Sequence, residues 1–154
     1  MVGAAFPPSA WFAVDLERNR QFGLLTDDVE PLHTDPAWCR THSPFGVPIV
    51  YGFLTLALLT RCLHEVTGGA LSGTLERTTH ALNYGFDRVR FVTPVPVGAR
   101  MRAHVTLAER RTRADGELLR FDVVLELEDA TRPALTAEWW SLCARPANAV
   151  GTSA

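Results

Sequence analysis

In the run Thr26-Asp27-Asp28-Val29-Glu30-Pro31-Leu32-His33-Thr34-Asp35, a carboxylate at Asp28 and an imidazole at His33 stand five residues apart, and Pro31 stiffens the backbone between them. That spacing can bring both groups around one water. An imidazole with an ordinary pKa of about 6.5 exchanges protons there at neutral pH, so the pair suits general acid-base work. The same spacing also fits a plainer arrangement, in which Asp28 caps a turn and His33 is a loop residue. The pair alone does not choose between them.

The chain that follows adds a second chemical element. Ser43-Pro44-Phe45-Gly46-Val47-Pro48-Ile49-Val50-Tyr51-Gly52 feeds directly into a long apolar segment. The Gly52 N–H therefore falls at a helix N-terminus, where amides lack intrahelical acceptors and the dipole favours negative charge. Having no Cβ, glycine also lets a ligand carbonyl approach the backbone closely. A carbonyl held there becomes a better electron sink. With Asp28 and His33 beside it, Gly52 completes a set suited to reversible hydration of an α,β-unsaturated acyl thioester, chemistry that requires no metal.

These residues need elements to hold them. Asp15 is placed to cap a helix over the segment that follows it, with Arg18 and Phe22 four residues apart on one side. Asp35-Pro36 opens a short helix running to His42. The segment from Gly52 to Val66 is helical in length and apolar all round in its first two turns, so it is expected to be buried, with Gly68-Gly69 ending it. Beyond a linker rich in Gly, Ser and Thr, the period changes to two. Met101, Ala103, Val105 and Leu107 alternate with Arg102, His104 and Thr106, and Phe121, Val123, Leu125 and Leu127 repeat the pattern after an Asp115-Gly116 turn. Tyr84 to Val92, followed by the Pro94-Pro96-Gly98 cluster, and Leu135 to Cys143 supply further strands, with Trp139 and Trp140 on opposite faces. A strand around Trp11 to Val14 would complete about five. The fold class is therefore α+β: one domain over residues 1–154, an antiparallel meander wrapped around one long helix, with loose termini at about 1–8 and 145–154.

Composition narrows the function classes. Of 154 residues, 47% are apolar and 21% charged, enough for one core and too few charges for a self-repelling chain. A net charge of -2 gives no general attraction to phosphate backbones, so nucleic acid is not an expected partner. Every one of the 15 basic residues is arginine, whose planar fork pairs bidentately with phosphate or carboxylate. Cys39, Cys62 and Cys143 are odd in number and widely spaced, as expected of reduced thiols in a cytoplasmic protein. The first residues lack the pattern of a signal peptide, and no apolar run approaches the roughly 20 residues of a membrane span. Membrane is not an expected partner.

Several blocks in fixed order carry a family resemblance: Ser9-Ala10-Trp11; the Asp28 to His33 cluster with Thr34-Asp35; Phe45 to Leu59; and Asn83-Tyr84-Gly85-Phe86-Asp87-Arg88-Val89-Arg90-Phe91 running into Pro94-Val95-Pro96-Val97-Gly98. Over roughly residues 9–140 the chain resembles the MaoC-like, (R)-specific enoyl-CoA hydratases, especially the short branch related to the nodulation protein NodN. The resemblance implies a hot-dog fold, Asp28 and His33 as the catalytic pair, and Gly52 as the oxyanion amide. It also implies a homodimer with sheets joined edge to edge and an acyl tunnel near the subunit boundary. The substrate would be a trans-2-enoyl thioester of coenzyme A or of an acyl carrier protein, giving the (R)-3-hydroxyacyl product. No cofactor is implied beyond the coenzyme A or phosphopantetheine of that substrate.

The chain departs from the family pattern at two positions. Glu30 stands where the family usually has a neutral amide, and Tyr51 where it usually has histidine. A third ionisable group near the pair could change which group begins as the base, and a phenol cannot titrate like imidazole near pH 7. Glu30, Pro48, Tyr51, Asn83, Tyr84, Arg88 and Arg90 are the candidate substrate-contacting residues, the two arginines through the phosphates of coenzyme A or, equally, as a solvated strand face. His42, His64, His80 and His104 have ordinary surface, linker or strand roles, and Cys62 is core packing. Thioester hydrolysis, conjugate addition of another nucleophile, and a noncatalytic acyl-binding role remain open on the same fold.

Overall fold

The computed structural model describes residues 2–68 and 80–144; the Gly/Ser/Thr-rich linker and the C-terminal tail lie outside them. The chain forms β1 (Phe12–Ala13), α1 (Leu16–Thr26), α2 (Pro31–Thr34), α3 (Pro36–His42), α4 (Gly52–Val66), β2 (His80–Phe91), β3 (Arg100–Arg113), β4 (Gly116–Leu127) and β5 (Leu135–Ala144). Local chemistry explains the boundaries. The Asp15 carboxylate accepts the Arg18 amide at the start of α1, and Asp35 accepts the amides of Ala37 and Trp38 at the start of α3, where Pro36 occupies a position that needs no donor. Gly68 (φ 60°) follows α4 in the left-handed region. The four-residue helix α2 is an addition to the elements expected from the sequence.

The period-two segments form the sheet with the expected faces. Met101, Ala103, Val105 and Leu107 of β3 and Phe121, Val123, Leu125 and Leu127 of β4 are buried, together with Leu135, Ala137 and Trp139 of β5. Leu54, Leu58, Leu59, Cys62 and Leu63 of α4 join them in one apolar cluster. Burying each such side chain contributes on the order of 1.5–3 kcal/mol, so this helix-on-sheet contact dominates the fold's stability. The β3–β4 turn is Ala114-Asp115, and Gly116 opens β4 with its missing Cβ pressed against the Cys143 backbone.

Four expectations need correction. The strands do not form a simple meander: the order is β1-β3-β4-β5-β2, so β2 pairs with β5 at the far edge and the Pro94–Gly98 segment is a crossing connection. His80 begins β2 and does not belong to the linker. Residues 3–9 are not a loose lead-in. The amides of Gly3, Phe6 and Ser9 donate to carbonyls of Leu107, Val105 and Ala103, lacing the segment along β3. Nor is α4 enclosed on all sides. Phe53 is 71% exposed, because the five strands of one chain cover only one face of the helix.

Candidate active site

Three segments meet at the N-terminus of α4. The first is the end of α1, where Asp27 adopts a left-handed conformation (φ 57°) and the amides of Asp27 and Asp28 both turn back to the Gly23 carbonyl. This closure places Asp28 at the helix end. The second is α2, which carries His33. The third is Ile49-Val50-Tyr51, pinned by the Val50 amide donating to Val95 O at 2.8 Å and by an isolated bridge from Ile49 to Pro96. A cleft of about 460 Å³ opens where they converge, lined by Phe22, Thr26, Asp28, His33, Tyr51, Gly52, Phe53 and Phe91. All three residues assigned chemical roles from the sequence line this one cleft.

The protonation geometry of His33 is fixed by its partner. Its Nδ1 lies 2.8 Å from the carbonyl oxygen of Ile49. A carbonyl can only accept, so Nδ1 carries the hydrogen, and in the neutral ring Nε2 is left as the basic nitrogen. The ring is stacked on Tyr51 at 3.9 Å between centroids, 29° from parallel.

Tyr51 is 3% exposed and holds the other member of the pair as well: its hydroxyl donates to the Asp28 backbone carbonyl. Burial raises the phenol's pKa above its usual value of 10, and the charges of Asp28 and then Glu30 raise it further, so it remains a donor throughout the neutral and mildly alkaline range. The phenol fits only because position 23 is glycine. A Cβ there would collide with the Tyr51 hydroxyl and lie 2.6 Å from the Asp28 carbonyl oxygen.

Gly52 is the first residue of α4, so its amide has no intrahelical acceptor. The ring of Phe91 lies against it, and a Cβ at position 52 would fall 3.1 Å from Phe91 Cε1. Phe91 and Phe53 form an edge-to-face pair at 6.0 Å. The cleft thus combines one acid, one imidazole and one free backbone donor with an aromatic wall.

The remaining candidates lie apart from it. Glu30 is exposed at the start of α2, and only its backbone carbonyl is engaged, by the His33 amide and the Thr34 hydroxyl. Pro48 is buried, with its carbonyl accepting the Val97 amide. Tyr84 sits at a register shift near the other end of β2, where its hydroxyl accepts from Arg113 at 3.1 Å, and Asn83 precedes it, opposite Ser141. Arg88, at a second register shift with φ 49°, pairs with Glu138 at 2.9 Å. With Arg90 it lines a separate groove of about 370 Å³, together with Asp122, Val124 and Thr136. Among the described residues, no cluster of three or more His, Cys, Asp and Glu could hold a metal ion. No helix there is long and apolar enough to cross a membrane.

Sequence reasoning missed Phe22, Phe53 and Phe91 as walls of the cleft, Gly23 as the notch for Tyr51, and Asn19 as the polar group behind it. A readable signal existed for two of them. Asn19 and Gly23 are poor helix formers one turn apart within α1, and such residues persist in a helix where packing or hydrogen bonding requires them.

A hot-dog sheet and helix, with an acid, an imidazole and a helix-opening amide facing one cleft, define a hydratase-type architecture. The chain belongs to the MaoC-like domain family, whose model matches residues 1–124. It is 37% identical to nodulation protein N of Rhizobium meliloti over 140 residues, covering 90% of this chain and 84% of that one. It is 35% identical to the 3-hydroxyacyl-thioester dehydratase Z of Mycobacterium tuberculosis over 131 residues, covering 84% and 82%. Among solved structures, the (R)-hydratase of A. caviae involved in PHA biosynthesis superimposes with a TM-score of 0.69 at 25% identity, covering 92% of this chain and 96% of that one.

Proposed function

We propose that this protein is a hydratase/dehydratase-type lyase that interconverts a trans-2-enoyl thioester and water with the (R)-3-hydroxyacyl thioester, the acyl group being carried on coenzyme A or an acyl carrier protein. The observation that carries this reading is the shared cleft of Asp28, His33 and Gly52, with the His33 proton on Nδ1. The name of the mycobacterial relative, a 3-hydroxyacyl-thioester dehydratase, describes the same chemistry in the elimination direction and supports it.

In the hydration direction, the thioester oxygen accepts the Gly52 N–H, which polarises the conjugated system. The Asp28 carboxylate orients a water, and His33 Nε2 takes one of its protons as the oxygen bonds to C3. The electron pair of the C2–C3 bond moves onto the thioester as an enolate, its oxygen held by the same amide. The proton held at the pair then goes to C2. Hydroxyl at C3 and hydrogen at C2 account for every atom of the water. The reverse sequence is the dehydration.

The reading extends to a homodimer joined along β2. That strand ends the sheet, and Leu82 and Phe91 on it are each about half exposed. Light scattering on the purified protein would return twice the 17.0 kDa chain mass, whereas a single-chain mass would remove this part of the proposal.

Incubation with crotonyl and saturated butyryl thioesters tests the activity. Loss of enoyl absorbance without thiol release, accompanied by the (R)-3-hydroxy product, is the expected outcome. Thiol release from the saturated compound would indicate a hydrolase and contradict the reading.

A further inference from the structure

Behind the cleft wall lies Asn19, 0% exposed near the start of α1. Its side chain makes three hydrogen bonds, each to the main chain of a different part of the site. Nδ2 donates to the His33 carbonyl at 2.8 Å and to the Ile49 carbonyl at 3.1 Å, and Oδ1 accepts the Tyr51 amide at 3.2 Å. The orientation of this amide is unambiguous, because two partners can only accept and the third can only donate.

Each contact bears on a group of the proposed mechanism. The Ile49 carbonyl is the acceptor that keeps the His33 proton on Nδ1, and Asn19 donates to the same oxygen. The His33 carbonyl fixes the backbone from which the imidazole projects. The Tyr51 amide immediately precedes the Gly52 amide at the opening of α4. With the Tyr51 N–H occupied by Asn19, Gly52 is the first amide at this helix end left for a ligand.

We propose that Asn19 is the positioning residue of this site: one buried amide that sets the tautomer of His33 and the placement of the Gly52 donor together. The inference rests on the hydratase reading for its kinetic consequence, but its structural consequence does not. Asn19 touches no reacting atom. It acts through His33 and through the Ile49–Gly52 segment, so its loss should lower turnover far more than it changes substrate affinity.

The test compares Asn19→Leu, which keeps the branched heavy-atom shape and removes all three hydrogen bonds, with Asn19→Ser, which admits water and serves where the leucine variant does not fold. Nitrogen-15 NMR of the imidazole, assigned against His33→Ala, should show the Nδ1–H tautomer of neutral His33 in the wild type and a mixture in the variants. Turnover of crotonyl thioester should fall on the order of 100-fold, the scale of an ångström-level misplacement, with KM changed less than about 3-fold. In a His33→Ala background the same substitution should have a much smaller effect, because the loss runs largely through that residue. A folded variant with the wild-type tautomer, or a loss that is fully additive with His33→Ala, would overturn the proposal. If the wild type hydrates no enoyl thioester but the tautomer still changes, the hydratase reading fails while the positioning role stands.

Discussion

Two polar regions of this molecule are built on opposite principles. On the outer face of the sheet, charges meet charges: Arg100 pairs with Glu128, Arg102 and His104 share Glu126, and Arg120 reaches Asp122 and Glu138. In the cleft wall, the polar side chains of Asn19, His33 and Tyr51 are bonded to backbone carbonyls and an amide. The outer pairs are open to water, which screens them and lets each partner find another. The cleft contacts are fixed by segments that the fold cannot move without unpacking. Precise chemistry needs the second kind, because proton transfer fails when donor and acceptor drift beyond about 3.2 Å. The density of charged pairs in a sequence therefore says little about where the site is.

The largest effects should come from the groups that exchange protons. Asp28→Asn and His33→Ala are each expected to reduce kcat by at least about 100-fold while the circular dichroism and melting temperature stay close to wild type. Normal turnover in both variants would dissolve the distinction between the two regions.

Next comes Gly23→Ala. In a helix interior this change ordinarily stabilises by about 1 kcal/mol. Here the added Cβ meets the Tyr51 hydroxyl and the Asp28 carbonyl, so the sign should reverse: a lower melting temperature and about a 10-fold or greater loss of kcat. A more stable, fully active variant would show that the wall is not rigid.

Tyr51→Phe should be milder. It keeps the ring stacked on His33 and removes the hydroxyl's bond to Asp28 O, for a cost of about 1 kcal/mol in urea unfolding. The hydroxyl's contribution also has a pH signature. Because its folded pKa is raised, the contribution is complete below the ordinary phenol value of 10 and is lost as the pH rises through the elevated value. The stability gap between wild type and Tyr51→Phe should therefore hold through neutral pH and narrow at strongly alkaline pH.

The smallest effect belongs to the outer face. Glu126→Gln breaks the contacts to Arg102 and His104, yet kcat should be unchanged and the melting temperature should move by no more than about 2 °C. Arg102, then His104, hold the Glu126 carboxyl below the ordinary glutamate value of 4.5, so whatever it contributes is present above that pH and disappears as the pH falls through the depressed value.

Local signals made much of this architecture legible. An apolar run opened by glycine and closed by glycine marked α4 at its observed limits, and alternation marked β3, β4 and β5 with the correct inward faces. Capping chemistry located α1 and α3. Pairing was not legible: β2 follows α4 in sequence but lies against β5, a choice made by long-range packing that no local period encodes. In the candidate site, the side-chain types of Asp28 and His33 and the helix position of Gly52 made these three legible as candidates, and they line one cleft. Asn19 and Gly23 carried only the signal of poor helix formers one turn apart, since their roles arise only when three distant segments meet. Tyr84 and Arg88 lie apart from this cleft for a reason that no local pattern shows. They stand within a family-like block, but register shifts in β2 accompany partners on the outer face, Arg113 and Glu138, far from the cleft.

The central claim is that the pair in this cleft moves a proton to and from the carbon beside a thioester carbonyl. Equilibrating a crotonyl thioester with the protein in deuterium oxide and reading C2 by mass spectrometry and proton NMR tests it directly. The account predicts one deuterium at C2 of the (R)-3-hydroxy product, formed by the wild type and reduced at least about 100-fold in rate by Asp28→Asn or His33→Ala. Deuterium incorporation at undiminished rate in both variants, or thiol release with none incorporated, would contradict it.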